Sequence, residues 1–213
     1  LGSGTLTSTI TVSDGGYLHT LANLSAGVSN NISISGAGHY LNVLADGSNH
    51  LFSGCIGAAD GWIAKIWKPR KSDGVFNPKS FYSGKGFYGL SVQAIVDKKK
   101  RVLFRSIESR GAEHDSTAFK RAGLYQWLIN NWCELKQRGY YFIGDSAYLL
   151  RSFLMTPFDD AMHGTAEDDF NFFHSSSRIV VECALGEIDL RWGILWRPLQ
   201  FSMDLNCKII DAC

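Results

Sequence analysis

The sequence predicts an α/β protein with a mixed sheet flanked by helices. Apolar runs bounded by turn residues are typical of buried strands, and they occur at residues 55–59, 89–96, 102–107 and 140–143. Stretches with roughly helical apolar spacing follow the third run and recur towards the end of the chain. The order strand, strand, strand, helix, strand, helix implies one sheet with helices packed on its faces.

The first three strands are expected to form an antiparallel meander. The run 55–59 ends in Asp60 and Gly61, which suits a buried strand that delivers a side chain to the sheet edge. The segment 89–96 alternates, and an apolar run at 102–107 follows a charged turn. This pattern is typical of a hairpin.

Helices are expected after this hairpin. A helix can begin at residues 115–116 and run to about Trp132. After strand 140–143, a second helix is expected to begin near Tyr148, and a third to cover about 175–191. These helices would cover the faces of the sheet.

Composition fits a globular domain. With 213 residues and 45% hydrophobic residues, the chain can bury a full core. Its apolar runs fall far short of the roughly 20 residues that span a bilayer, which excludes a membrane-spanning protein. The five cysteines form no CxxC pair, which argues against a disulfide framework and a structural zinc site. We therefore expect an intracellular protein.

Charge and composition divide the chain near residue 53. Residues 1–53 are rich in Gly, Ser, Thr and Asn and contain no Lys or Arg. All 21 basic residues therefore lie in 54–213. The same segment contains 20 − 2 = 18 acidic residues, since Asp14 and Asp46 lie in 1–53, and its net charge is +3. This excess permits a nucleic-acid partner without requiring one. We assign 1–53 as a poorly defined segment without a function and 54–213 as the main domain.

Three acidic residues are candidates for a metal site. Asp60 and Asp145 each follow a predicted strand, where open α/β sheets usually place ligand chemistry. Glu182 lies among apolar neighbours in a predicted helix, where a carboxylate is costly to bury unless it is paired or binds a metal. Such an all-oxygen set suits Mg²⁺ or Mn²⁺. Two such ions can activate a water and stabilise the leaving oxygen of a phosphodiester.

Each of these acids also has an ordinary structural explanation. Asp60 before glycine is most often a turn former, and Asp145 could cap a helix. Glu182 could form a solvated pair with Arg178, four residues earlier. Spacing alone does not favour the metal site over these explanations.

An ordered set of six segments covers much of 54–213, namely CIGAADGW (55–62), KSFYSGKGFYGLSVQAIVD (79–97), GAEHDSTAF (111–119), GYYFIGDSAY (139–148), FNFFHSSSRIVVECALG (170–186) and RWGILWRPL (191–199). This set resembles the endonuclease domain of Harbinger-type (PIF/Harbinger) DDE transposases and their domesticated nuclease relatives. The resemblance implies an RNase H-like fold whose first three strands are antiparallel. It also implies that the domain continues beyond Cys213.

The resemblance also implies roles for individual residues. Asp60, Asp145 and Glu182 fall on the family's catalytic, metal-binding positions. Asp115 is a further family hallmark, either as a metal-site member or as a helix cap, and we favour a supporting role. The implied cofactor is Mg²⁺ or Mn²⁺, and the implied location is the nucleus.

A group of basic residues is a candidate DNA contact. Lys65, Lys68, Arg70 and Lys71 follow the first predicted strand, with Trp67 among them. Such residues contact phosphates and give affinity with little sequence choice. A solvated hairpin explains them equally well.

The leading prediction is therefore a metal-dependent DNA endonuclease or transposase-like enzyme with a two-metal mechanism. The alternative is a domesticated or decayed copy that binds DNA or protein without cleaving. A metal-dependent phosphatase or ribonuclease is a third, less favoured class. We expect DNA as a partner and no membrane association; a separate DNA-binding partner protein and a homo-oligomer stay open.

Overall fold

A computed structural model of the chain describes residues 9–12, 31–34, 52 and 54–213. Near the N-terminus, β1 (Thr9–Val12) and β2 (Asn31–Ile34) pair in parallel as a two-stranded sheet. The rest of 1–53, apart from Phe52, lies outside the described residues.

A five-stranded mixed sheet forms the centre of the domain. Its strands are β3 (Cys55–Lys65), β4 (Gly89–Val96), β5 (Val102–Arg110), β6 (Tyr141–Ile143) and β7 (Leu154–Met155), in the order β5-β4-β3-β6-β7. Strands β3, β4 and β5 are antiparallel neighbours, whereas β6 pairs in parallel with β3 and β7 in parallel with β6. The predicted fold class and the antiparallel meander are therefore confirmed.

Helices cover both faces of this sheet. They are α1 (Asp115–Arg121), α2 (Gly123–Gln137), α3 (Ala166–Arg191) and α4 (Met203–Ala212). Successive side chains of a strand point to opposite faces. Ala59 accordingly packs in one core cluster with Leu128 of α2, whereas Ala58 packs in another with Val181 of α3.

Several predicted boundaries are wrong. The helix predicted from 115–116 to Trp132 is two helices, because Ala122 between them has an extended backbone with ψ 133°. Near Tyr148 the chain forms a turn that leads to β7 rather than a helix. Helix α3 begins at Ala166, well before the predicted start near 175, and Thr165 caps it by accepting a hydrogen bond from the Asp168 amide.

The first strand of the domain is longer than predicted. We expected it to end at 59, but β3 continues to Lys65, because β4 pairs with it from Ala58 onwards. Its pairing with β6 on the other side ends at Ala58. Asp60 therefore lies within a strand, at the point where one of its two neighbours has ended.

Candidate active site

Asp60 and Asp145 lie at equivalent positions on neighbouring parallel strands. Ala58 of β3 is the register partner of Ile143 of β6, and each aspartate comes two residues after one of these partners. A step of two residues keeps a side chain on the same face of a strand, and neighbouring strands lie about 4.8 Å apart. The sheet therefore brings the two carboxylates together on the face that α3 covers.

Asp60 is the most buried of the three candidate acids. Its side chain is 16% exposed, Oδ1 accepts a hydrogen bond from the Gly61 amide at 2.7 Å, and Oδ2 lies 3.2 Å from Arg178 Nη2. Burial raises the pKa of Asp60 to about 6; the Gly61 amide and Arg178 oppose this rise, and Asp145 and Glu182 add to it. A neutralising cation at this carboxylate would therefore be stabilising.

Asp145 lies in a tight turn after β6. Its Oδ1 accepts a hydrogen bond from the Ala147 amide at 3.0 Å, and its Oδ2 lies 3.9 Å from Arg178 Nη2. No helix begins here, so Asp145 is a turn residue rather than the helix cap that the sequence also allowed. The turn fixes the carboxylate beside Asp60.

Glu182 reaches the same place from α3. Its Oε1 lies 3.4 Å from Arg178 Nη2, one helical turn away. The pair with Arg178 that the sequence allowed is therefore present. We expected a carboxylate buried against the sheet, but the Glu182 side chain is 56% exposed. That expectation was wrong because the buried side chains of α3 include Val181, Ala184 and Leu185, and Glu182 lies at the edge of that face.

Arg178 lies at the centre of these three acids, which we call the acidic triad (Asp60, Asp145 and Glu182). One atom, Nη2, contacts all three carboxylates. Because Nη2 lies 3.2 Å from Asp60 Oδ2 and 3.9 Å from Asp145 Oδ2, those two oxygens are at most about 7 Å apart. Arg178 is only 12% exposed, and its buried Nε has no hydrogen-bond partner.

The acidic triad fits a divalent cation in the chemistry of its ligands. Carboxylate oxygens are the ligands that Mg²⁺ and Mn²⁺ prefer, and three of them already surround one positive group. The described residues contain no group of three His, Cys, Asp or Glu side chains already arranged to hold a metal.

Asp115 lies on the other face of β3. Its Oδ1 accepts a hydrogen bond from Gln93 Nε2 at 2.8 Å, and Tyr148 OH donates to Gln93 Oε1 at 2.6 Å. Asp115 is the first residue of α1, the cap position is His114, and no side-chain cap bond forms. Of the roles that the sequence left open for Asp115, the helix cap is therefore wrong, since Gln93 rather than the helix backbone binds this carboxylate.

Close packing explains why glycine follows Asp60. Gly61 of β3 is the register partner of Gln93 in β4, and the Asp115 side chain occupies the space where a Cβ of Gly61 would lie. A Cβ at Gly61 would collide with Asp115 Oδ1 and lie 2.8 Å from Gln93 Nε2. The Asp-Gly pair therefore places a carboxylate on one face and leaves room for a buried polar network on the other.

The predicted DNA-contact residues lie apart from the acidic triad. We call Lys65, Lys68, Arg70 and Lys71 the basic segment; all four are exposed, as is Trp67. Lys65 ends β3 five residues after Asp60, which is roughly 16 Å along the strand. Lys65 Nζ lies 5.5 Å from the Phe87 ring centroid. The basic segment is thus a surface feature at one end of β3.

Two members of this region were missed from the sequence. Gln93 is polar in a strand that is buried throughout, and a buried polar side chain requires partners, so its residue type was a usable signal. Tyr148 carried no such signal, because its bond to Gln93 joins residues 55 positions apart. Arg178 was considered only as a partner of Glu182, although it also contacts Asp60 in β3 and Asp145 in the turn after β6.

Comparison with known proteins identifies the family. The family described as DDE superfamily endonuclease matches residues 59–213. The chain belongs to this family. The endonuclease match confirms the Harbinger-type resemblance and the RNase H-like fold, and it supports a nuclease-like role at the level of the family.

Curated relatives of this endonuclease domain include "Protein ALP1-like" of Arabidopsis thaliana, which is 25% identical over 63% of the chain and 36% of the relative. Proteins named "Putative nuclease HARBI1" are 24% identical in Xenopus laevis and 26% identical in Mus musculus, in both cases over 75% of the chain and 44% of the relative. The chain thus spans less than half the length of these relatives. No solved structure matches it. Every helix in the described part of the chain is too short or too polar to span a bilayer.

Proposed function

We propose that this domain is a divalent-metal-dependent endonuclease that hydrolyses DNA phosphodiester bonds. The acidic triad would hold Mg²⁺ or Mn²⁺, and Asp115 would support the site from the other face of β3. The observation that carries the proposal is the convergence of all three carboxylates on one cationic atom, in a chain of an endonuclease family. Bound ions of this type activate a water and stabilise the leaving oxygen.

The placement of each acid suits such a role. Asp60 is fixed within the sheet, Asp145 is fixed by its turn, and Glu182 faces solvent from α3. The solvent-facing side gives a phosphodiester a route to the acids. The basic segment would hold the DNA backbone farther along β3 and contribute affinity rather than sequence choice. Because the substrate is DNA, we further propose a nuclear location.

Nicking of supercoiled plasmid tests the proposal. The wild-type chain should nick DNA with Mg²⁺ or Mn²⁺ and lose this activity with EDTA. Glu182→Gln should abolish nicking while the protein stays folded, because a neutral amide is a poor ligand for a hard cation. Asp115→Asn is the matched control: it should nick DNA and mainly lose stability. If Glu182→Gln nicks DNA normally, Glu182 does not complete the metal site and the proposed role of the acidic triad is wrong.

A second candidate function is a transposase-derived module that binds DNA or protein without cleaving it. The position of Arg178 favours it, since a permanent ion pair would neutralise the acids without a metal. This candidate predicts that the wild-type chain retards DNA in a gel at low salt and never nicks it, whatever divalent ion is added.

A further inference from the structure

Arg178 differs from an arginine in a well-satisfied buried ion pair. Such arginines usually bind a carboxylate through two parallel N–H bonds. Here a single Nη2 is shared among three acids at 3.2, 3.9 and 3.4 Å, and the buried Nε is unpaired. An unpaired buried N–H is destabilising. The guanidinium therefore neutralises the acidic triad with incomplete hydrogen bonding.

We infer that Arg178 is an internal counter-ion that competes with the divalent metal for the acidic triad. This inference rests on the proposed function. In the metal-free protein, Arg178 holds three mutually repelling carboxylates together. When the metal binds, Arg178 leaves these oxygens and the metal takes its place.

The two cations exclude each other for reasons of distance and charge. Ions of this type bind carboxylate oxygens at about 2.1 Å. Asp60 Oδ2 is 3.2 Å from Nη2, so an ion on that oxygen would lie within a few ångströms of the guanidinium. Two positive groups at that separation in a largely buried site repel each other strongly. Because Arg178 lies on α3, one turn from Glu182, the exchange requires a change of its side-chain rotamer while the helix stays in place.

Direct measurement of Mn²⁺ binding tests this competition without using activity. Electron paramagnetic resonance of free Mn²⁺ would be followed during titration of the whole chain. Arg178→Gln should bind Mn²⁺ about tenfold more tightly than wild type, within the usual 5- to 150-fold range of coupling between ligands. The same variant should have a lower melting temperature without metal and a larger rise on adding Mn²⁺. Arg178→Lys keeps the positive charge, so it provides a second test if Arg178→Gln fails to fold. It should bind Mn²⁺ with intermediate affinity.

Arg121→Gln is the matched control, because Arg121 forms an ion pair with Glu113 at 2.9 Å outside the acidic triad. Its Mn²⁺ affinity should equal that of wild type. If wild type binds Mn²⁺ and both Arg178 variants bind it equally or more weakly, the inference fails and the proposed function stands. If wild type and all variants bind no Mn²⁺, the proposed function fails, and the inference fails with it.

Discussion

Desolvation affects the pKa of Asp60 more strongly than the nearby positive charge does. Although Arg178 lies 3.2 Å away, burial comes first among the causes that raise the pKa of Asp60 to about 6. Asp145 and Glu182 act in the same direction. The ionised carboxylate is therefore less favourable in the folded protein than in the unfolded chain. Such a cost is typical of residues that are retained for function rather than for stability.

The pH dependence of stability should reveal this cost. The folded protein holds the Asp60 proton up to about pH 6, whereas the unfolded chain releases it near its ordinary value of 3.8. Binding of this proton stabilises the folded protein fully below pH 3.8, and this stabilisation is lost as the pH rises to about 6. The loss is about 3 kcal/mol at most, at 1.36 kcal/mol per pKa unit.

Asp60→Asn should remove this component. In EDTA, the variant should match wild type near pH 4 and be more stable at pH 8, by up to about 3 kcal/mol. Urea unfolding at a series of pH values would measure the difference. A variant that is less stable than wild type at pH 8 would show that the ion pair with Arg178 outweighs desolvation.

Gly61 is expected to tolerate no larger residue. Gly61→Ala would place a methyl group against Asp115 and Gln93, and overpacking of this kind costs about 1 to 3 kcal/mol. Asp115→Ala in the same chain should restore part of this loss, because it removes the atoms that collide. Unfolding free energies of the single and double variants would measure the coupling; additive losses would contradict this explanation.

At the scale of elements, the turn after β6 depends on the sheet beneath it. The Tyr148 amide donates to the Asp145 carbonyl at 3.2 Å, and the Tyr148 hydroxyl donates to Gln93 in β4. Burial raises the pKa of Tyr148 well above its usual range, with Asp115 adding to the effect, so this hydroxyl stays protonated as a donor. The bond ties the turn that carries Asp145 to the strand beside Asp60.

Tyr148→Phe should loosen that turn. The change leaves the buried Gln93 Oε1 without its donor, at a cost of about 1 to 3 kcal/mol. We expect lower thermal stability and weaker Mn²⁺ binding, because Asp145 loses its anchor. Tyr125→Phe is a suitable control, since the Tyr125 hydroxyl accepts a bond from Arg151 at 3.2 Å in an exposed position. Equal effects of the two substitutions on Mn²⁺ binding would argue against an anchoring role.

Local patterns predicted some elements and missed others for physical reasons. Alternation and a charged turn were enough for the β4–β5 hairpin. The start of α3 also had a local signal, since Thr165 precedes Asp168 by three residues in the pattern of a helix cap, and that signal was overlooked. By contrast, β7 has two residues, too few for any periodicity, and β3 continues through Asp60 and Gly61, two poor strand formers, because β4 pairs with them.

The candidate site was predictable only in part. The resemblance to a known family selected Asp60, Asp145 and Glu182, whereas spacing alone left structural roles open. The position of Arg178 depends on a contact with Asp60 across 118 residues of sequence, which no local pattern encodes. The partner of Asp115 likewise lies 22 residues away, on a different element. Residue types were therefore easier to predict than the contacts that set their chemistry.

At the scale of the whole molecule, the acidic and the basic side chains of interest lie apart. The net charge is only +1, but the acidic triad is confined to one end of β6, and the basic segment lies at the far end of β3. Under the proposed function, a metal bound by the acids would remove negative charge at the place where a phosphate would approach. Under the same proposal, the exposed basic side chains would contact the DNA backbone to one side of the bond to be cut.

Removal of basic charge should change how DNA binding depends on salt. Each phosphate contact contributes about 0.9 to the slope of log affinity against log salt. Replacement of Lys65, Lys68 and Arg70 by Gln should therefore lower the slope by up to about 3. Fluorescence anisotropy with a labelled duplex over a range of NaCl concentrations would measure it.

The matched control replaces three exposed lysines elsewhere, Lys120, Lys136 and Lys208, by Gln. Both triple variants change the net charge by the same amount, so a general electrostatic effect would alter their affinities alike. Phosphate contacts by the basic segment would instead lower the slope in the first variant alone. An unchanged slope in the variant of the basic segment would exclude this segment as the DNA-binding surface. The DNA backbone would then have to reach the acidic triad along another surface.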